Sequence, residues 1–233
     1  MTAKEISKTQ IDRLGDRLKK GDISDDDLRL LDIYRGSFSD AYEFVVERIR
    51  DLMEFEPTGR PLKLTESISD KLRRESIRLT QIQDIAGCRL IVADIAAQDA
   101  AAQSLRKLFE KVIVIDRRKQ PSHGYRAVHV IVNCLGKTIE VQIRTTLQQA
   151  WAEMSEKFSD VMDPTIKYGG GQVKIQSILS NYSDLVANHE ALETSYTIFP
   201  VRFGDDLVKK REIIHEGLLD VIESVTKTIG AIK

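Results

Sequence analysis

Two carboxylates in the central part of the chain stand where they can hold a metal ion. Asp84 comes just before a buried-strand pattern, and Glu140 lies inside another one. A hard divalent cation such as Mg²⁺ prefers one or two carboxylates together with substrate phosphates. The pair therefore predicts a magnesium site that acts on a phosphorylated substrate.

Cations and an aromatic ring accompany these carboxylates along the sequence. Lys63, Lys71, Arg74 and Arg89 can neutralise a polyphosphate, and Tyr125 can stack on a nucleobase. Positioning, a metal and charge compensation are what phosphoryl-type transfer requires, with little covalent work from the protein. The sequence contains no GxxxxGK[ST] segment, which argues against an ordinary P-loop fold.

The segment around Glu140 has a polar face. On a strand, Glu140, Gln142 and Arg144 share one side, and a face of this composition does not belong in a core. It either lines a cleft or forms the solvated outer face of an antiparallel sheet. Tyr125 and His129 likewise have an ordinary interpretation as half-buried residues.

The composition excludes several classes of protein. The 233 residues include 35 Lys+Arg and 36 Asp+Glu, so the formal net charge is -1 and provides no global field for nucleic acid or a membrane. With 42% hydrophobic residues the chain can bury a core. Two cysteines cannot form a disulfide framework. With no signal peptide and no apolar run of about 18 residues, we expect a cytoplasmic protein without a membrane span.

The N-terminal part reads as helical. A helix is predicted over 6–20, ended by Gly21, and Ser24 with the acidic residues after it marks the start of a second. That helix should stop before Pro57, bent or divided at Gly36. Residues 58–65 are predicted to be a loop.

The central part alternates between helix and strand. The predicted strands are 88–93, 112–115, 127–134 and 138–143, and the predicted helices are 66–74, 96–111 and 145–158. A glycine turn at Gly87 is expected to lead into the first strand, and the last two strands should form a hairpin. The fold class is therefore α/β (α+β), with a mixed central sheet flanked by helices.

The C-terminal part begins at a break, Gly169-Gly170-Gly171. Residues 172–193 and 205–232 are predicted helices, and 195–203 is predicted to be extended. We divide the chain into a helical extension (1–57), a core (58–168) and a second helical extension (169–233). The extensions pack either on the core or on another copy in a homo-oligomer, and the sequence leaves both open.

Four polar segments of the core follow one another in a characteristic order. They are Lys63-x-x-x-Ser67-Ile68-x-x-Lys71-Leu72-x-Arg74, Asp84-Ile85-Ala86-Gly87-x-Arg89, Gly124-Tyr125-Arg126-x-x-His129 and Glu140-Val141-Gln142-Ile143-Arg144-Thr145. Together they resemble the synthetase domain of the RelA/SpoT family in order and spacing. The last segment is the most specific.

The resemblance implies a reaction and its residues. The family transfers the β,γ-pyrophosphate of ATP, with Mg²⁺, to the 3′-hydroxyl of GDP or GTP and so makes the alarmone (p)ppGpp. Asp84 and Glu140 would hold the metal, and Glu140 would assist deprotonation of the acceptor hydroxyl. The implied ATP-binding residues are Lys63 and Lys71 for the phosphates and Arg74 and Arg89 for the adenine. The implied acceptor-binding residues are Tyr125, which stacks on the base, and His129, Gln142 and Arg144.

Departures from the family pattern keep other functions open. Pro121 stands where the family usually has a lysine, and Ser155-Glu156 where it commonly has Glu-His. A toxin branch of the family pyrophosphorylates the 3′ end of tRNA, for which Arg117-Arg118-Lys119 offers a basic segment. A catalytically inactive nucleotide-binding or interaction module is a further alternative. The chain has no His-Asp dipeptide, so we expect a small, synthetase-only member.

Overall fold

The computed structural model describes residues 6–60, 62–198 and 205–232. The helices are α1 (Lys8–Lys20), α2 (Asp25–Gly36), α3 (Ser39–Met53), α4 (Thr65–Arg74), α5 (Ile95–Leu108), α6 (Thr146–Val161), α7 (Val173–Ile198) and α8 (Asp205–Gly230). The strands are β1 (Thr58–Arg60), β2 (Ala86–Val92), β3 (Val112–Asp116), β4 (Val128–Cys134) and β5 (Lys137–Thr145). The predicted α+β class, with a mixed sheet and helical flanks, is confirmed.

The described strands form one sheet in the order β1-β2-β5-β4-β3. β4 and β5 are joined by the two-residue turn Leu135-Gly136, whose φ angles of 48° and 71° are both positive. A type I′ hairpin turn requires this conformation, which glycine adopts without strain. The predicted hairpin is therefore present, and Lys137 already belongs to the strand. It places Glu140, Gln142 and Arg144 on a strand in the interior of the sheet.

Two sequence predictions around the first strands are wrong. Residues 58–60 form β1 instead of a loop, since they pair antiparallel with β2, Gly59 opposite Cys88. Gly87 lies inside β2 and not in a turn. A Cβ at Gly87 would lie 2.6 Å from the carbonyl oxygen of Glu140, so close backbone approach explains this glycine.

The prediction of an extended segment over 195–203 is also wrong for residues 195–198, because α7 continues to Ile198. The Thr194 and Ser195 hydroxyls donate to the carbonyl oxygens of Glu190 and Ala191 at 2.9 Å, one turn back. This bonding keeps polar residues within a helix. Residues 199–203 lie outside the described part of the chain.

The start of α2 follows the sequence prediction. Ser24 Oγ accepts from the Asp27 amide at 3.2 Å, and the Asp27 carboxylate accepts from the Ser24 amide, so the two residues form a capping box. The helix then ends at Gly36, and α3 begins at Ser39. Gly36 thus divides the predicted long helix.

The chain separates into two compact units, each built from three segments. The first takes its described residues from Met1–Leu90, Leu105–Ile113 and Val130–Gln142. The second takes them from Ile91–Ser104, Val114–His129 and Ile143–Lys233. The division into 1–57, 58–168 and 169–233 stays a prediction. No helix among the described residues has the length and apolar character needed to cross a membrane.

Each unit has its own apolar interior. In the first, α1 packs on α4, and Leu14, Ile68 and Leu72 are at most 1% exposed. In the second, α6 packs on α7 and α8 around Trp151, whose indole N–H donates to the Leu179 carbonyl oxygen at 2.8 Å. Both interiors therefore give rigid support to polar residues on β2, β5 and α6.

Candidate active site

Asp84 is bound by two lysines in the first unit. Lys63 Nζ donates to Oδ2 at 2.5 Å, and Lys71 Nζ donates to Oδ1 at 2.9 Å. All three side chains are 20–22% exposed, which leaves them reachable but poorly solvated. Burial acts to raise the pKa of Asp84, but the charges of Lys63 and Lys71 outweigh it and hold that pKa below its usual value. The carboxylate is therefore ionised and lies beside two ammonium groups.

Three short elements position this cluster. Lys71 lies on α4, Asp84 lies just before β2, and Lys63 lies between β1 and α4. The backbone amide of Lys63 donates to the Ile85 carbonyl oxygen at 2.8 Å, which ties the lysine segment to the start of β2. Arg35 Nη1 donates to the Lys63 carbonyl oxygen at 2.9 Å.

Arg35 is a supporting residue that the sequence did not reveal. Its side chain is only 16% exposed, although it stands in the last turn of α2. It lies 28 residues before Lys63 in a segment that has no recognisable motif. Only the tertiary structure brings it to the lysine segment.

Glu140 and Gln142 form a second group within the first unit. Glu140 is 9% exposed, and Gln142 Nε2 donates to its Oε2 at 2.7 Å. The interpretation as a solvated outer face is therefore wrong for Glu140, and also for Arg144, which is 4% exposed. A carboxylate has about four lone-pair sites, so the bond from Gln142 is compatible with a proton or a cation on Glu140.

Arg74 and Arg89, the predicted adenine-binding residues, also lie in the first unit. Arg74 ends α4, where Nη2 approaches Glu75 Oε1 at 3.3 Å. Arg89 is on β2, opposite Thr58 of β1, and is partly exposed. The adenine-binding role of both residues stays a prediction.

The predicted acceptor residues Tyr125, His129 and Arg144 are in contact in the second unit. The Tyr125 hydroxyl lies 2.9 Å from His129 Nε2 and accepts from Arg144 Nη2 at 3.0 Å. The Arg144 guanidinium lies 5.0 Å from the Tyr125 ring centroid, a cation–π distance. Arg144 Nη1 also donates to Gln149 Oε1 at 2.9 Å. The ring is thus held rigidly, as a stacking platform must be.

The fourth predicted acceptor residue behaves differently, since Gln142 donates to Glu140 in the first unit. The structure therefore brings Lys63, Lys71 and Asp84 together. It brings Gln142 to Glu140, and Tyr125 to His129 and Arg144.

The basic segment 117–119 contains less available charge than its sequence indicates. Arg118 Nη2 binds Asp99 at 2.7 Å and Asp116 at 2.9 Å, and its side chain is only 16% exposed. Burial acts to lower the pKa of Arg118, but the hydrogen bonds that its guanidinium donates to Asp116 and Asp99 raise that pKa above its usual value. Lys119, 82% exposed, approaches Asp116 at 4.0 Å. Arg118 is therefore neutralised and does not add to a surface for polyanions.

Comparison with known proteins places the central part of the chain among known sequences. The family model described as the region found in RelA / SpoT proteins matches residues 59–159. Over residues 59–159 the chain is therefore similar to RelA/SpoT proteins. The matched range contains every candidate residue on α4, β2, β4 and β5.

Relatives of the RelA/SpoT region include an uncharacterized protein of Mycobacterium bovis and uncharacterized proteins of two strains of Mycobacterium tuberculosis. Each is 38% identical over 111 residues, which cover 46% of this chain and 40% of the relative. The match thus spans about two fifths of the length of these relatives.

Solved structures extend the likeness beyond the RelA/SpoT region. The crystal structure of small alarmone synthetase 1 from Bacillus subtilis is 26% identical, with a TM-score of 0.55, over 77% of this chain and 99% of that chain. The same enzyme bound to its product pppGpp is 25% identical, with a TM-score of 0.54, over 72% and 95%. The chain is therefore similar to an alarmone synthetase over nearly the whole of that protein.

Proposed function

We propose that this chain transfers the β,γ-pyrophosphate of ATP to the ribose 3′-hydroxyl of GDP or GTP and so makes (p)ppGpp. The observation that carries the proposal is the cluster of Lys63 and Lys71 on Asp84, inside a region that is similar to RelA/SpoT proteins. The likeness to small alarmone synthetase 1, which binds pppGpp as its product, supports the choice of acceptor. Free nucleotides as substrates fit a cytoplasmic protein.

The ATP side of the reaction uses the first unit. Lys63 and Lys71 are held at a fixed place by Asp84, so both ammonium groups can exchange to the phosphates of ATP without a large rearrangement. Arg74 and Arg89 bind the adenine in this proposal. The cations offset charge that builds up on the phosphates during transfer.

The donor set of the first unit fits a magnesium ion. Asp84 and Glu140 supply hard carboxylate oxygens, and each Asp84 oxygen binds one lysine and keeps a second lone pair. These two residues would hold the ion together with phosphate oxygens. When bound, Mg²⁺ supplies charge neutralisation on the transferring group.

The transfer is a displacement at the β-phosphorus of ATP. The 3′-oxygen attacks the β-phosphorus of ATP, the bond from that phosphorus to the α,β-bridging oxygen breaks, and AMP leaves. The proton of the 3′-hydroxyl goes to the carboxylate of Glu140, whose orientation the amide of Gln142 fixes. Tyr125 stacks on the acceptor base, and hydrogen bonds with Arg144 and His129 hold the Tyr125 hydroxyl in place.

The test is incubation with ATP labelled in the β-phosphate, Mg²⁺ and one acceptor at a time: GDP, GTP or bulk tRNA. Label in a guanine nucleotide is the expected result. Label on tRNA would instead identify the toxin-type reaction, and no transfer to any acceptor would identify an inactive binding module.

The matched variants are Glu140→Gln and Glu110→Gln. The first keeps the side-chain shape, and its transfer rate should fall by about 10²–10⁴-fold, the usual contribution of a general base. The second changes an exposed carboxylate of the same unit and should leave the rate unchanged. Full activity of Glu140→Gln would contradict the proposal that Glu140 accepts the proton of the 3′-hydroxyl.

A further inference from the structure

Three ligand-type side chains converge in the second unit, and none of them takes part in the proposed pyrophosphate transfer. His189 and Glu193 are four residues apart on α7 and therefore share one face of the helix. His215 lies on α8. His189 Nε2 is 3.2 Å from both Glu193 Oε1 and His215 Nδ1, and the latter two atoms are 3.5 Å apart.

This triangle has the dimensions of a tetrahedral metal site. Zinc binds imidazole nitrogen and carboxylate oxygen at about 2.0–2.2 Å, which places neighbouring ligands of a tetrahedron roughly 3.3–3.6 Å apart. Of the three observed separations, 3.5 Å lies within that range and the two of 3.2 Å lie just below it. An ion fits just off the plane of the three atoms, with one coordination position left over.

The surroundings orient and desolvate the ligands. The side chains of His189 and Glu193 are 4% and 11% exposed, and that of His215 is 22% exposed. The other ring nitrogen of His215 lies 3.1 Å from Thr146 Oγ1, which fixes the ring with Nδ1 toward the triangle. An outer partner of this kind is typical of metal-binding histidines.

A cavity of about 210 Å³ adjoins Glu193 and His215. Its further lining is Ala93, Asp94, Arg211, Glu212 and Glu216. Three carboxylates against one arginine leave the lining negative, which favours a cation. The cavity also gives access for the ion and for a water in the fourth position.

We propose that His189, Glu193 and His215 bind one divalent ion of the zinc class, which joins α7 to α8. Two imidazoles and a carboxylate are the donor set of known zinc sites that keep an open position. The ion acts as a clamp because α7 supplies two ligands and α8 the third, on either side of residues 199–204. The site is independent of the proposed pyrophosphate transfer.

The test uses the full chain, stripped with a chelator and titrated with Zn²⁺ by calorimetry and with Co²⁺ by visible absorption. We expect one equivalent of Zn²⁺, the intense d–d bands of tetrahedral Co²⁺, and a Tm rise of about 5 °C or more at a hundredfold excess over Kd. His215→Gln and Glu193→Gln should each weaken binding by at least about 100-fold, more than loss of an outer partner does.

Glu212→Gln is the matched control, because it changes a carboxylate of the same cavity that is not a ligand. It should bind Zn²⁺ like the unaltered protein, and circular dichroism should show all three variants folded. A simple hydrogen-bonded triad, with Glu193 accepting from both rings, is the competing arrangement. Absence of stoichiometric binding would favour that arrangement and overturn the proposal. Zn²⁺ binding that survives His215→Gln would also overturn it, because the ion would then lie at another site.

Discussion

Lys63 and Lys71 each donate to a different oxygen of Asp84, at 2.5 and 2.9 Å. The carboxylate therefore holds two ammonium groups near one another that would otherwise repel. In the proposed reaction the two ammonium groups are therefore already in place before the nucleotide binds. Little reorganisation is then needed for them to bind the phosphates.

Replacing Asp84 with Asn should reduce kcat for pyrophosphate transfer by about 100–1,000-fold, in line with the loss of one electrostatic group at a reacting centre. The KM for ATP should stay the same or fall, since the lysines are released to the phosphates. Steady-state kinetics measures both. Asp70→Asn, which changes an exposed carboxylate of α4 paired with Arg73, should match the unaltered protein. A kcat for Asp84→Asn within threefold of that protein contradicts the role of Asp84.

Tyr125→Ala should raise the KM for the guanine acceptor by about 5–150-fold, the range that corresponds to one lost base–aromatic stack. Tyr125→Phe keeps the ring and loses only the hydroxyl bonded to His129 and Arg144, so its effect should be several-fold smaller. The KM for ATP should change little in either. Tyr168→Ala removes a partly exposed ring elsewhere in the same unit and is the control. Equal effects of Ala and Phe at position 125 would argue against stacking.

Gly87→Ala should destabilise the protein by about 1–3 kcal/mol, the usual cost of overpacking. The added Cβ would lie 2.6 Å from the Glu140 carbonyl oxygen, which belongs to the backbone and cannot rotate away. Urea denaturation measures the change. Gly217→Ala, on α8 with no heavy atom within 4 Å of the added Cβ, should instead stabilise by about 0.5–1 kcal/mol. Gly87→Ala as stable as the unaltered protein would show that β2 and β5 can separate.

The Arg17–Asp27 pair should make stability depend on acidity. Hydrogen bonding from Arg17 lowers the pKa of Asp27 from 3.8 to about 2. A carboxyl group whose pKa is lower in the folded state than in the unfolded state stabilises the fold at pH values above the unfolded-state pKa. This contribution is lost as the pH falls toward the folded-state pKa. The free-energy difference between the unaltered protein and Asp27→Asn, on the order of 1 kcal/mol at pH 7, should therefore decline between about pH 4 and pH 2. A difference that stays constant across that window contradicts the assignment, and Arg17→Gln should give the same profile.

Local signals predicted most elements of the fold. Ser24 with its acidic followers fixed the start of α2, and Leu135-Gly136 fixed the hairpin, because capping and turn chemistry depend on neighbouring residues only. β1 was missed because three residues are too few to show an alternating pattern of apolar and polar side chains. Only their pairing with β2 makes them a strand. Arg35 and the contact of His215 with His189 were missed for a similar reason, since contacts between distant segments leave no spacing to recognise.

The grouping of Lys63, Lys71 and Asp84 was predicted through a family resemblance, and the structure supplies the direct bonds. The resemblance did not predict that Arg118 would be neutralised by Asp99 and Asp116, because a basic run in a sequence does not reveal its counter-ions. The resemblance also did not reveal that Gln142 donates to Glu140, and the acceptor role of Gln142 stays a prediction.

The three-segment construction of each compact unit has a consequence for biosynthesis. The first unit includes Val130–Gln142, so its sheet cannot close while a ribosome has released only the helices of the first 90 residues. Contacts between segments so far apart in the chain slow folding, because a long loop must close before they form. No single cut in the chain separates one unit from the other, so neither can be obtained by truncation. During synthesis, residues 1–90 are therefore released before residues 130–142, which begin about forty positions further along the chain. The helices α1 to α4 cannot complete their packing in the first unit until those strand residues have emerged.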